Sequence, residues 1–254
     1  MRGYLIVVYG LVGLVTGSFL NVVIDRLPAG ESLLYPPSYC PACGRELSPL
    51  ELVPVLSYVA LGGRCRTCGT LISPRILLVE VLTGGLFALL YGIYGATLQL
   101  LITTVYTCVL LVVTFIDLEH MLIPDILILP ATGFALLMVP FRQSSLASDA
   151  LSQLVGGLVG FLIFLLIWFV SLRLMGVDAM GFGDVKLAAF CGLATAFPGI
   201  LVAIFGSFIL GGLVGAILLA GGMADRKTPV PFAPFLVVTT FVVMVFGKSL
   251  LFFV

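Results

Sequence analysis

Apolar residues gather along this chain into runs of about 20, each bounded by charge, Pro or Gly, the length a helix needs to cross the hydrocarbon core of a bilayer. About eight such runs are predicted, near 4–24, 76–95, 97–116, 122–139, 152–172, 179–196, 199–220 and 230–253. The turn Ala196-Phe197-Pro198-Gly199 divides what would otherwise be one overlong segment. The first run is too long for a signal peptide, and Asp25-Arg26-Leu27-Pro28 follows it in place of a small-residue cleavage site. Between the first two runs, residues 25–75 break the pattern with five Arg, a concentration of Pro and four of the six Cys.

Composition agrees: 61% of the 254 residues are hydrophobic and 9% are charged, whereas a soluble domain carries about a quarter charged residues. The predicted fold class is therefore an all-α polytopic membrane protein, with about eight transmembrane helices and a small zinc-ribbon-like module. The expected domains are a first transmembrane helix over 1–24, a Cys module over 25–75 and a transmembrane domain over 76–254. Twelve Lys and Arg balance twelve Asp and Glu, so no net field recruits nucleic acid, and the lipid bilayer is the expected surroundings. The single His120 excludes the two-His zinc-protease helix and reads as a local hydrogen-bonding partner. With 25–75 in the cytoplasm, nine of the twelve basic residues fall inside: Arg26, Arg45, Arg64, Arg66, Arg75, Arg173, Lys186, Arg226 and Lys227. The positive-inside rule thus puts both termini outside.

Cys40-Pro41-Ala42-Cys43 and Cys65-Arg66-Thr67-Cys68 are separated by 21 residues, a spacing that supplies four thiolates to one structural Zn²⁺ and leaves no open position for substrate. Two disulfides are the competing reading, disfavoured by a reducing compartment. Zinc would contribute most of the folding free energy of a module with so little core, knitting it into a small β-ribbon. Cys108 and Cys191 lie in apolar runs and read as small buried hydrophobes.

Two acids stand at membrane depth. Asp117 closes the third run, and Asp184 opens the sixth within Gly181-Phe182-Gly183-Asp184-Val185-Lys186. Only twelve residues separate Asp184 from Phe197, roughly 18 Å of helix, so a spanning segment there would hold Asp184 below the surface. Ionisable groups at that depth usually serve function. Two adjacent carboxyls share a proton, one remaining acid while the other acts as base toward water. Gly181 and Gly183 would let an extended peptide approach the backbone. The alternative is that both acids merely end helices and pair with His120 and Lys186. Glu119 fits a solvated helix end, Asp125 a helix N-terminal acid, and Glu80 either a polar anchor or a site group.

Together these residues resemble the bacterial type 4 prepilin peptidases of type IV pilus and type II secretion systems. Gly17-Ser18-Phe19-Leu20-Asn21, both C-x-x-C pairs, Pro54-Val55-Leu56-Ser57-Tyr58, Ile72-Ser73-Pro74-Arg75 and Val79-Glu80-Val81-Leu82-Thr83 look like the family's N-terminal half. Asp117-Leu118-Glu119 with Ile123-Pro124-Asp125, and the G-x-G-D segment ending at Asp184, look like its two catalytic segments. The resemblance implies cleavage of the basic leader from prepilin or pseudopilin precursors at the cytoplasmic face of the inner membrane, with Asp117 and Asp184 as the catalytic pair. Gly181, Gly183, Lys186, Glu80, Glu119 and Asp125 would support the site. It also implies N-methylation of the new N-terminus from S-adenosylmethionine, although no glycine-rich nucleotide-binding signal follows a strand. Leu52 and Ala233 stand where the family carries Asn and Gly. Two rival classes are a proton-coupled or ion transporter, which predicts repeat symmetry that the chain lacks, and a structural anchor displaying a zinc ribbon, which would require neither acid.

Overall fold

The structure, a computed structural model, describes residues 2–142, 150–175, 181–223, 225 and 230–251. Arg226, Lys227 and the ends of the sixth and eighth predicted runs lie outside the described residues. Each predicted run corresponds to a helix: α1 (Arg2–Ala29), α3 (Pro74–Tyr94), α4 (Leu98–His120), α5 (Asp125–Met138), α6 (Ala150–Met175), α7 (Phe182–Thr195), α8 (Gly199–Ala220) and α9 (Ala233–Leu251), with a short α2 (Leu56–Ala60) inside the Cys module. This is an all-α polytopic membrane protein. Five helices, α1, α3, α4, α6 and α8, are by themselves long and apolar enough to cross a bilayer. The 14 residues of α5 and of α7 reach only about 21 Å, short of a core of about 30 Å.

The differences from the predicted boundaries have local causes. Proline sets the start of two helices: Pro124 caps α5, which begins at Asp125 rather than 122, and α9 waits until Ala233, past Pro231. At the other end of its element, α1 continues to Ala29 because its polar end is paired, Asp25 with Arg75 at 2.5 Å, while Arg26 donates to the Ser32 and Pro37 carbonyls.

Contacts divide the chain into two units, Met1–Val112 and Val113–Val254. In the first, α1 packs along α3. A Cβ on Gly17 would come 2.8 Å from Glu80 Cα, so a larger residue there would push the helices apart. The Cys module belongs to this unit. The predicted β-ribbon reduces to two isolated antiparallel bridges, Tyr39 with Glu46 and Arg64 with Leu71, and no strand forms among the described residues. Each bridge rests on one pair of bonds and goes no further: Cys40 N–H to Arg45 O with Leu47 N–H to Ser38 O, and Cys65 N–H to Thr70 O with Ile72 N–H to Gly63 O.

In the second unit, α7 is the central helix, packed by α5, α6, α8 and α9, and its residues from Leu187 onward are almost all buried. Helix α6 approaches it through glycines: a Cβ on Gly156 would lie 2.6 Å from the Gly192 carbonyl oxygen. With little hydrophobic drive between helices in lipid, such close backbone approach supplies the packing that holds them together.

Candidate active site and metal centre

Asp117 sits in the last turn of α4, ahead of His120, and is 6% exposed. Its Oδ2 accepts a hydrogen bond from Ala233 N–H at 3.2 Å. Ala233 is the first residue of α9, so this N–H is one of the donors a helix N-terminus leaves without an internal partner. The carboxylate caps α9 and is fixed by it. Asp184 lies in the first turn of α7, half-buried, its own N–H bonded to Gly181 O at 3.1 Å. The two carboxyls are close enough to interact electrostatically.

Among the described residues neither acid forms the helix-end pairing with His120 or Lys186. Lys186 Nζ binds Asp125 Oδ1 at 2.5 Å, not Asp184, and stands 5.1 Å from the Phe182 ring centroid. Among the described residues no ion pair joins Asp117 to His120, which is exposed. Asp125 is also the first residue of α5, where the helix dipole favours an acid. A cation that could have neutralised the Asp184 carboxylate is thus drawn to a neighbouring helix. Glu119 is exposed near the end of α4.

The two glycines of the G-x-G-D segment differ. A Cβ on Gly183 would fall 2.9 Å from Ile123 Cβ, so Gly183 lets α7 start against the Ile123-Pro124 segment and draws Asp184 toward the end of α4. Gly181 is exposed, with open space where a Cβ would stand. Beside them Trp168 meets Phe182 edge-on at 5.2 Å, and Phe232, next to Ala233, packs tilted against Phe164 and Phe208 and edge-on against Phe235. The Ala233 donor was not legible in the sequence, because a backbone N–H carries no residue signature; Pro231 and Pro234 around it are the available signal for an interrupted helix start.

Glu80 lies in the first unit. It is 5% exposed on α3 and accepts Val55 N–H at 2.7 Å. Val55 has φ of 63°, a conformation that costs a β-branched residue roughly 1–3 kcal/mol, and the buried carboxylate helps to hold it.

In the Cys module the four Sγ atoms of Cys40, Cys43, Cys65 and Cys68 lie within 4.8 Å of one another, and those of Cys40 and Cys68 are 3.8 Å apart. Zn–S bonds of about 2.3 Å in a tetrahedron put sulfurs about 3.8 Å apart, so the cluster has the dimensions of a metal site. All four are free thiols, not disulfides. The knuckles are near copies: in each a Gly with positive φ, Gly44 at 68° and Gly69 at 72°, follows the second Cys and donates its N–H to the first. N–H groups of Cys68 and Thr67 aimed at the Cys65 sulfur pull its thiol down to about 6, favouring the thiolate that metals bind. Glu51 and Arg45 brace the module through an ion pair at 2.6 Å. That guanidinium, with the Ser48 N–H and hydroxyl, holds the Glu51 carboxyl down at about 2.

Comparison with known proteins decides the family. Residues 11–94 match the bacterial peptidase A24 N-terminal domain, and residues 104–216 match the type IV leader peptidase family. A prepilin leader peptidase/N-methyltransferase of Pseudomonas aeruginosa is 33% identical over 94% of this chain and 90% of its own length. The chain belongs to this family. A relative of the same name from Xanthomonas campestris is 35% identical over 94% of this chain and 90% of its length. One from Myxococcus xanthus is 38% identical over 86% of this chain and 64% of its length. No solved structure matches.

Proposed function

We propose that this protein is a membrane aspartyl peptidase that removes the basic leader from type IV prepilin or pseudopilin precursors, with Asp117 and Asp184 as its catalytic pair. The observation that carries this reading is two carboxyls on α4 and α7 close enough to interact electrostatically, one fixed by a backbone N–H, with Lys186 of α7 committed to Asp125. Of the two, one keeps a proton and donates it to the scissile carbonyl oxygen while the other takes a proton from the attacking water. The carboxyl that took the water's proton then gives it to the amide nitrogen, and the C–N bond breaks as the tetrahedral carbon collapses and its hydroxyl proton returns to the other carboxylate. If all eight helices cross the bilayer, nine of the twelve basic residues share one side, which supports a cytoplasmic site in the inner membrane. A transporter reading would use the same acids, but neither the family nor any internal repeat favours it.

Zn²⁺ fits the Cys cluster by the spacing of its four sulfurs, held by Cys40, Cys43, Cys65 and Cys68 in a structural role. Residues 1–24, 25–75 and 76–254 are, on this reading, anchor helix, zinc module and peptidase domain. The relatives' second named activity extends the proposal to N-methylation of the new N-terminus; S-adenosylmethionine supplies the methyl group. The test is to follow leader release and N-methylation separately with purified, membrane-embedded protein and a prepilin-like peptide. Wild-type protein is expected to show both, and the Asp117→Asn and Asp184→Asn variants to lose leader release. Wild-type rates of leader release in either variant would refute the pair.

A further inference from the structure

Asp117 and Asp184 stand in unequal surroundings. Asp117 is 6% exposed in the last turn of α4, and its Oδ2 accepts the N–H of Ala233 at 3.2 Å. That N–H opens α9, a helix of 19 residues, so the bond has the positive end of a helix dipole behind it. Asp184 is half-buried in the first turn of α7, and among the described residues no N–H or hydroxyl donates to its carboxyl. The other charged groups around the pair do not even out this difference. Lys186 of α7 and Asp125 of α5 are tied to each other, Glu119 and His120 of α4 are exposed, and Arg173 of α6 lies over the Phe169 ring. Helix α8 carries no charged residue, and α9 carries none before Lys248.

Resting on the proposed peptidase activity, we propose that this one backbone donor divides the labour of the pair: Asp117 holds the negative charge and is the base, Asp184 holds the shared proton and is the acid, and Ala233 is the positioning residue that sets the difference. A bond donated to an ionised acceptor favours the charged form by about tenfold to a hundredfold. The opposing influences are smaller. The dipole of α7 favours charge on Asp184 and that of α4 disfavours it on Asp117, each by about two- to fivefold, and the dipole of α9 offsets one of the two. Water reaches Asp184 more than Asp117 and so favours its charge, but a peptide seated against Asp184 excludes that water before the chemistry begins. The Ala233 bond is buried and stays. In the reaction Asp117 takes a proton from water as the water oxygen bonds to the scissile carbonyl carbon, and the proton on Asp184 passes to the carbonyl oxygen. Asp117 then gives its proton to the amide nitrogen, the C–N bond breaks with its electrons going to nitrogen, and a hydroxyl proton of the tetrahedral carbon returns to Asp184. Each turnover ends with charge and proton where they began.

The test exchanges the N–H for an ester oxygen in full-length protein in nanodiscs, by incorporating lactic acid in place of Ala233, which keeps the methyl side chain. The pH profile of kcat for leader release from a prepilin-like peptide is compared with that of a second ester, leucic acid in place of Leu236, whose N–H bonds to Phe232 O. The ester at Ala233 should move the acid limb up by about one to two pH units, the worth of the lost donor, and leave the alkaline limb in place. The ester at Leu236 should move neither. Movement of the alkaline limb alone would mean that Asp117 carries the proton, and unmoved limbs, or equal movement by both esters, would mean that the bond only shapes α9. Each of these overturns the division of labour, while leader release by the unmodified protein keeps the peptidase reading standing. A second measurement needs no ester: solid-state NMR of unmodified protein with ¹³C-labelled aspartate, at the pH of fastest release, should show a carboxylate at Asp117 and a protonated carboxyl at Asp184. The reverse would overturn the proposal. Unmodified protein that releases no leader would overturn it together with the peptidase reading.

Discussion

In the first unit acids are spent on structure: Glu51 is tied to Arg45, Asp25 to Arg75, and buried Glu80 to the Val55 N–H. In the second, Lys186 is tied to Asp125, and among the described residues Asp117 and Asp184 have each other and one backbone donor. Both units take carboxylates out of water. The first compensates each with a cation or backbone donor and thereby orders a loop too small to have a core. The second withholds compensation from a pair, which raises the cost of charging both and makes proton sharing the cheaper state. Burial of an acid therefore says little about role until its partner is known.

The sharpest way to break the contrast is to neutralise acids in both units. Asp117→Asn and Asp184→Asn should each lower the leader-cleavage rate by about 10²–10⁴-fold, the worth of a general acid or base, with the helical circular-dichroism signal unchanged. Equal loss from Glu51→Gln would show that the site depends on the module's bracing as much as on the acids. The next effect is metal removal. Cys40→Ser or Cys65→Ser should lower zinc content from one ion per chain toward none by metal analysis, and should impair methylation more than leader release. Equal loss of both activities would mean that the module supports the whole enzyme.

Glu80→Gln should destabilise the protein by about 1–3 kcal/mol in thermal unfolding, because a charged acceptor for a strained residue's N–H becomes a neutral one. The smallest effect belongs to Lys186→Met. An exposed ion pair is worth about 0–1 kcal/mol, so stability should barely move in the same unfolding assay; a large loss would mean that the lysine also neutralises the catalytic pair.

How much of this was legible in the sequence follows the same physics. The eight apolar helices were, because lipid admits few alternatives to a backbone that satisfies itself. The Cys cluster was legible because a tetrahedral site fixes its spacing, while the ribbon was not: whether a knuckle extends into a strand depends on hydrogen bonds that Gly44 and Gly69 turn back into the knuckle itself. Asp117 and Asp184 could be singled out as acids at membrane depth. That Lys186 reaches Asp125, 61 residues away in sequence, depends on how α5 packs on α7, and no local pattern encodes it. The close approach of Gly183 to Ile123, where a Cβ would stand 2.9 Å away, has no local signature either.

The pairing of the two carboxyls is tested most directly by an experimental structure with a prepilin-like peptide whose scissile bond is replaced by a hydroxyethylene unit. The account predicts that the hydroxyl sits between Asp117 and Asp184, within about 2.6–3.2 Å of both carboxyls, with Ala233 N–H still bonded to Asp117. A hydroxyl bound away from both carboxyls, or contacted by only one of them, would contradict it.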